Sequence, residues 1–280
     1  MPGVPYEMQY IMEHGVVPAV RSRMQQQGRQ SQRAHLSLLT MGTGESQLAV
    51  TLGDMEEELE NNGIKLAYLP SPGSVRIRLT AEGEAVEGLE RAHEAVLERL
   101  SEWVVSKDGL PVEAALGHCL VDQGQTLAVA ESCTGGALGA ALVARPGASA
   151  FFLGGVQAYS NEAKEHLLGV PGALIAEYGA VSEPVAVAMA KGARAKFGAD
   201  YGVSITGIAG PDGGSENKPV GTVYMACDGP LGVLCVRHQF GRDRTRNLSM
   251  GVRSAAQLAL ESAVKWGAES KPASRVADSL

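Results

Sequence analysis

The sequence predicts an α/β protein: a three-layer α/β/α domain over 107–268, preceded by a small α+β domain over 35–106. Three observations carry that prediction. The 280 residues suit two compact units better than one, at roughly 100 to 200 residues each. Beyond residue 107, short apolar runs alternate with helix-length segments, the pattern of a sheet covered by helices on both faces. Ahead of it the order is strand, helix, two strands, helix, which is the order of a small mixed domain.

The first 34 residues stand apart from both domains. Pro2-Gly3-Val4-Pro5 reads as a loop entering a helix, which Gly15 and Pro18 are expected to interrupt. Residues 21–33, rich in Gln, Arg and Ser, read as a linker or a frayed helix. In the small domain the expected elements are a strand over 36–41, a helix over 45–61, strands over 65–69 and 74–80, and a helix over 84–100. Pro70-Ser71-Pro72-Gly73 is the turn between the two strands. Val75, Ile77 and Leu79 alternate with Arg76 and Arg78, so one face is buried and the arginine face is expected to be solvated. This order of elements is similar to KH-like domains, but Met41-Gly42-Thr43-Gly44 lacks the Gly-x-x-Gly backbone clamp, so no nucleic-acid partner is expected.

In the larger domain, Val112, Leu116 and Leu120 recur at helical spacing ahead of Gly124. A strand over 126–130 runs into Glu131-Ser132-Cys133-Thr134-Gly135-Gly136, and a small-residue helix follows, ending before Pro146-Gly147. A strand over 151–159 leads to Ser160, the cap of a helix over 161–168. Ser182 caps the next helix, with Pro184 in its first turn and Phe197 near its end. Strands over 201–206, 220–226 and 233–240 complete the sheet, a helix over 244–264 closes the domain, and 269–280 is a polar tail. In such folds functional groups collect at the carboxyl ends of parallel strands.

Composition excludes several function classes. Asp and Glu outnumber Lys and Arg, 31 to 24, for a net charge of −7, which argues against a broad nucleic-acid footprint. The four cysteines form no CxxC and have no ligand spacing with the six histidines, so no metal site and no disulfide framework is expected. No apolar run reaches the roughly 18 residues of a membrane span, and a cytoplasmic protein with reduced thiols is the expectation.

Four loops carry chemistry. The turn from Glu131 to Gly136 places hydroxyls beside the unpaired amides of a helix start, which suits an oxyanion and an acyl nucleophile. It equally suits a helix cap, and it is not a GxSxG elbow, because Ala130 and Thr134 stand where the glycines would be. In Tyr159-Ser160-Asn161-Glu162-Ala163-Lys164 a lysine sits one helical turn beyond a serine. Buried, it is able to activate a hydroxyl; exposed, it is a surface charge on a capped helix. Thr206-Gly207-Ile208-Ala209-Gly210-Pro211 has the glycines that let a backbone approach a ligand closely. Arg242, Arg244 and Arg246 open the last helix, where a guanidinium clamps phosphate or is simply solvated.

Together these strings resemble the C-terminal domain of the CinA family, the competence/damage-inducible proteins, and the stand-alone nicotinamide mononucleotide deamidases. The resemblance rests on the segments 130–136, 158–164, 179–183 and 206–211, with Lys218-Pro219-Val220-Gly221-Thr222-Val223, in that order. It implies hydrolysis of the carboxamide of nicotinamide mononucleotide to the carboxylate, with release of ammonia and no cofactor. Ser132 is then the nucleophile, Lys164 its base and Tyr159 a hydrogen-bonding partner, with Ser160 the competing serine. Amides around Thr134, Gly135 and Gly136 are the oxyanion donors, and Thr206 and Gly207 line the substrate. Arg244 holds the 5′-phosphate, with Arg242 the alternative because Gly241-Arg242-Asp243-Arg244 departs from the family's Gly-Asp-Arg. The resemblance implies a homo-oligomer, with a dimer the expected state. A non-catalytic nucleotide-binding or competence-related interaction protein is the other reading.

Residues 35–106 resemble the family's middle domain more loosely, and 1–20 the tail of its N-terminal domain. That domain is similar to molybdopterin-biosynthesis proteins and carries pyrophosphatase activity toward ADP-ribose. Most of it is missing from this sequence, as a late translation start or a truncated gene would leave it, so neither that activity nor its metal is expected here.

Overall fold

The computed structural model describes residues 4–26 and 33–270. Part of the expected linker (27–32) and nearly all of the expected polar tail lie outside the described residues.

The first segment does not break at Gly15 and Pro18. Helix α1 (Pro5–Ile11), a π-helical turn (Met12–Val16) and α2 (Val17–Gln26) follow one another without a gap. The amide of Val17 donates to the carbonyl of Met12, five residues back. That wider turn makes room for Pro18, which has no amide to give and whose ring crowds the preceding turn of an α-helix.

The small domain contains β1 (Arg33–Met41), α3 (Glu45–Asn61), β2 (Ile64–Ser71), β3 (Ser74–Glu82), α4 (Leu89–Arg99) and β4 (Val104–Ser106). A 3-10 turn over Gly83–Gly88 occupies the start expected for α4. The strands form one antiparallel sheet in the order β2-β3-β1-β4. β4 was not expected, since three residues are too few to display a period. One face of the sheet buries Leu38, Ile77 and Leu79 against Leu48 and Leu52 of α3 and Val96 of α4. On the other face Leu39 and Met41 join the core of the larger domain. Arg76 lies opposite Leu39 and Leu69 on the neighbouring strands, so it shares that second face and is half-buried. The solvated arginine face expected from the alternation is therefore corrected at Arg76, because a second domain covers it.

The larger domain contains α5 (Val112–Gln123), β5 (Leu127–Glu131), α6 (Ala137–Val143), β6 (Phe152–Gln157), α7 (Asn161–Leu168), α8 (Gly172–Tyr178), α9 (Glu183–Phe197), β7 (Tyr201–Gly207), β8 (Thr222–Gly229), β9 (Gly232–Gln239) and α10 (Arg244–Ser270). The sheet order is β6-β5-β7-β8-β9. Its first three strands are parallel, and β8 and β9 are added antiparallel. α5, α6 and α10 cover one face, and α7, α8 and α9 the other. All five residues of β5 are buried, as a central strand covered on both faces requires. A Cβ on Gly202 would overlap the carbonyl of Ala190, so glycine there lets α9 lie directly against β7.

The small domain is fastened to α10. Arg253 donates to the carbonyl of Pro72 at the tip of the β2–β3 hairpin, and Met250 lies against Gly73. Because the order β6-β5-β7 reverses direction at β5, the carboxyl ends of these strands flank a crevice, where ligands bind in folds of this type.

Candidate active site

Ser132 is the first residue beyond β5 and is stitched in place from both sides. Its amide donates to the carbonyl of Ile205 in β7 at 3.0 Å, while the amide of Ala158 beyond β6 donates to the carbonyl of Glu131 at 2.8 Å. The carbonyl of Ser132 accepts from Gly135 at 3.1 Å, which turns the chain toward α6.

Lys164 reaches this turn from α7. Its Nζ donates to Ser132 Oγ at 3.1 Å, to the carbonyl of Ala158 at 2.9 Å and to that of Tyr159 at 3.1 Å. The side chain is 1% exposed, so burial lowers its pKa below the ordinary 10.5 and favours the neutral amine. In that form two hydrogens satisfy the two carbonyls, and the lone pair is left facing the serine hydroxyl. Lys164 is thus the buried lysine of the two alternatives read from its motif.

The structure separates the remaining candidates. The Tyr159 ring is 68% exposed; the residue contributes its backbone carbonyl to Lys164, and its hydroxyl bonds nothing among the described residues. The hydrogen bond that Tyr159 makes in this site is thus a main-chain one, to Lys164. Ser160 caps α7, accepting from the amide of Ala163 at 3.1 Å, and is exposed. Burial pushes the Cys133 thiol up to about 11, against the opposing pull of Arg244 and Lys164. Beside the buried serine, it stays protonated at neutral pH.

Glu131, which the sequence reading did not single out, organises the turn. Its carboxylate is 2% exposed and accepts from the amides of Gly136 at 3.1 Å, Leu138 at 3.0 Å and Gly139 at 2.8 Å. A buried acid at the end of an apolar strand has to be paired, and the glycine-rich turn after it was the available signal. The helix start is consequently occupied by a side chain of the protein itself. Gly135 and Gly136 have both committed their amides, whereas Cys133 and Thr134 give theirs to no backbone carbonyl. Gly136 has a φ of 102° and its α-hydrogen faces Gln157, a position open only to glycine.

The other expected substrate residues lie at the end of β7 and at the start of α10. Thr206 donates its hydroxyl to the carbonyl of Ala180 at 2.9 Å and so ties the loop before α9 to β7. Gly207 lets the end of β7 close on Val223 of β8. Arg244 donates to the carbonyl of Gly210 at 2.8 Å, and its charge is felt at Cys133. Arg242 is exposed, with no side-chain hydrogen bond to the described residues. Asn247, also unforeseen, is buried one turn into α10 and donates to the carbonyls of Ala209 at 3.0 Å and Gly241 at 2.9 Å. Both amide hydrogens are fixed by carbonyls, which leaves Asn247 Oδ1 buried without a partner; Thr134 Oγ1 is in the same condition. Thr134 packs against the face of α10 that carries Gly251, one turn beyond Asn247.

Among the described residues no three His, Cys, Asp or Glu side chains are grouped as a metal ion needs, and no helix is long and apolar enough to cross a membrane. A larger hollow of about 580 Å³ between α5 and α6 contains none of these site residues.

The chain matches the model of the CinA C-terminal domain over residues 110–263, and that of the damage-inducible protein CinA KH domain over 35–106. It is 42% identical over 262 residues to a CinA-like protein of Salinibacter ruber, covering 92% of this chain and 62% of that protein. It is 45% identical over 250 residues to a CinA-like protein of a Synechococcus species, covering 88% of this chain and 58% of that one. The chain therefore spans about three-fifths of the length of these relatives. Among solved structures, a CinA superfamily protein of Klebsiella pneumoniae is 35% identical with a TM-score of 0.54, over 55% of this chain and 97% of that one. The competence/damage inducible protein CihA of Agrobacterium tumefaciens is 38% identical with a TM-score of 0.50, over 54% and 96%. With more than half of its length, including Ser132 and Lys164, inside the C-terminal domain match and a KH-domain match ahead of it, this chain belongs to the CinA family.

Proposed function

We propose that the chain is an amidohydrolase that converts nicotinamide mononucleotide to nicotinate mononucleotide and ammonia through a serine nucleophile. The observation that carries this reading is the hydrogen bond from buried Lys164 to Ser132. The substrate is the one implied by the resemblance of the loop motifs.

In the proposed reaction neutral Lys164 takes the proton of Ser132 as Oγ attacks the carboxamide carbon. The amides of Cys133 and Thr134, uncommitted to any carbonyl, are the donors for the oxygen that becomes negative. Collapse breaks the C–N bond, the proton on Lys164 passes to the departing nitrogen, and ammonia leaves an acyl-serine. Water, deprotonated by the same lysine, then attacks the acyl carbon and releases the carboxylate with the serine hydroxyl restored. Arg244 and the unpartnered Thr134 Oγ1 and Asn247 Oδ1 border the same turn, which suits a ligand with both a phosphate and hydroxyl groups.

The test is ammonia release from nicotinamide mononucleotide by the full chain and by Ser132→Ala. Turnover in the first and none in the second is expected. Equal turnover in both, or tight nucleotide binding without turnover in the unaltered chain, would overturn the reading.

A further inference from the structure

A second polar cluster lies in the cleft between the two domains, apart from the serine–lysine pair. The cleft has a volume of about 230 Å³, and its polar lining comes from Arg76, Ser71 and Ser74 of the small domain and from Glu113 and Arg253 of the larger one. Arg76 is aimed into it by the sheet: flanked across the strands by Leu39 and Leu69, its side chain leaves on the face that meets α5. Its Nε is buried and has no partner, although a guanidinium N–H shielded from water normally has one. Arg253 enters from α10 and is held by the carbonyl of Pro72, so the hairpin bearing the two serines and the helix bearing the second guanidinium are clasped around one space. Neither arginine forms an ion pair among the described residues, and Glu113 is the one carboxylate in the lining.

Two guanidiniums converging on a small volume that one unpaired carboxylate does not neutralise repel each other, and a fork-shaped donor pair is the arrangement that tetrahedral oxyanions satisfy. We propose that this interdomain cleft is an anion site that takes a phosphate group, gripped by Arg76 and Arg253 with the hydroxyls of Ser71 and Ser74. The volume is below the roughly 300 Å³ at which pockets for whole organic ligands begin, which selects a free phosphate ion or the end of a small phosphomonoester rather than a nucleotide. Glu113 opposes binding, leaving the cleft with one net positive charge. Because the ligand would touch both domains, its binding also strengthens their union.

Calorimetric titration of the full chain with inorganic phosphate tests this. Binding is expected in the unaltered chain and in Ser132→Ala, weakened at least tenfold in Arg76→Met and in Arg253→Met, and retained in Arg244→Ala. Glu113→Gln, which leaves both arginines in place, is expected to tighten it. Unchanged affinity in both arginine variants, loss confined to Arg244→Ala, or a Glu113→Gln protein that loses thermal stability and binds no phosphate would each overturn the site. A parallel titration with glycerol phosphate identifies the source: equal affinity means that an ester's phosphate end is accepted, and binding of inorganic phosphate alone means that the free ion is the occupant.

Discussion

Lys164 Nζ stands 3.1 Å from Ser132 Oγ, with the carbonyls of Ala158 and Tyr159 claiming its other two donor directions. Two residues separated by 32 positions meet because β5 and β6 are parallel neighbours whose following loops emerge on the same edge. Lys164→Met should keep the fold and reduce kcat for ammonia release by about a hundredfold to ten-thousandfold with little change in KM. The rate should also carry an acid limb. Protonated Lys164 has no lone pair, so activity rises with pH through its folded-state pKa, which burial sets below 10.5. In the window between that value and 10.5 the unfolded chain holds the extra proton, so stability rises with pH there and Lys164→Met flattens the rise. A pH profile of kcat/KM and urea unfolding at several pH values check both. An acid limb identical in a lysine-free but active variant would count against Lys164 as the base.

Cys133 adjoins the nucleophile, yet its thiol is raised to about 11 by burial. Cys133→Ala should therefore retain activity within about threefold, and a thiol-alkylating reagent at neutral pH should act slowly on the unaltered chain. Rapid inactivation that Cys133→Ala abolishes would indicate a thiolate at that position.

Removing the Glu131 carboxylate leaves three amide donors of the α6 start without their acceptor. Glu131→Ala should lose about 2–4 kcal/mol of stability in urea unfolding, and Glu131→Gln, which keeps one acceptor oxygen, should lose less. Activity should fall in both, because the turn carrying the uncommitted amides of Cys133 and Thr134 loosens. Full stability in Glu131→Ala would refute this role.

Arg242 and Arg244 are both exposed, but only Arg244 is anchored, to the carbonyl of Gly210, with its charge felt at Cys133. Arg244→Ala should raise KM for a phosphorylated substrate about tenfold or more, a loss of about 1.4 kcal/mol, whereas Arg242→Ala should leave it within about twofold. Steady-state kinetics on both variants decide between them, and the reverse ranking would reassign the phosphate contact.

The layered architecture was legible because buried strands and amphipathic helices write different periods into the chain. Ser132 and Lys164 were legible as candidates because each sits at a junction between a strand and a helix. Their contact was not, since it depends on which strands become neighbours. Tyr159 was named as a hydrogen-bonding partner, and the group that bonds Lys164 is its carbonyl, which every residue possesses and no sequence pattern marks. Glu131 escaped notice because a buried carboxylate and a surface one are spelled alike; only the path of α6 brings three amides to it. β4 and α8 were too short to show a period. Gly15 and Pro18 were read as breakers, but a local change of helical pitch absorbs them. Arg76 read as solvent-facing because alternation reports only that a strand has two faces, not that a second domain covers one of them.

α10 passes along the whole length of this machinery as one rod. Its first turns present Arg244 and Asn247 to the crevice, and the turns after them hold Met250 and Arg253 against the hairpin of the other domain. The two groups keep a fixed angular phase about a single axis. Adding or deleting one residue between 247 and 250 would rotate one set against the other by about 100°, so that only one domain could stay in register.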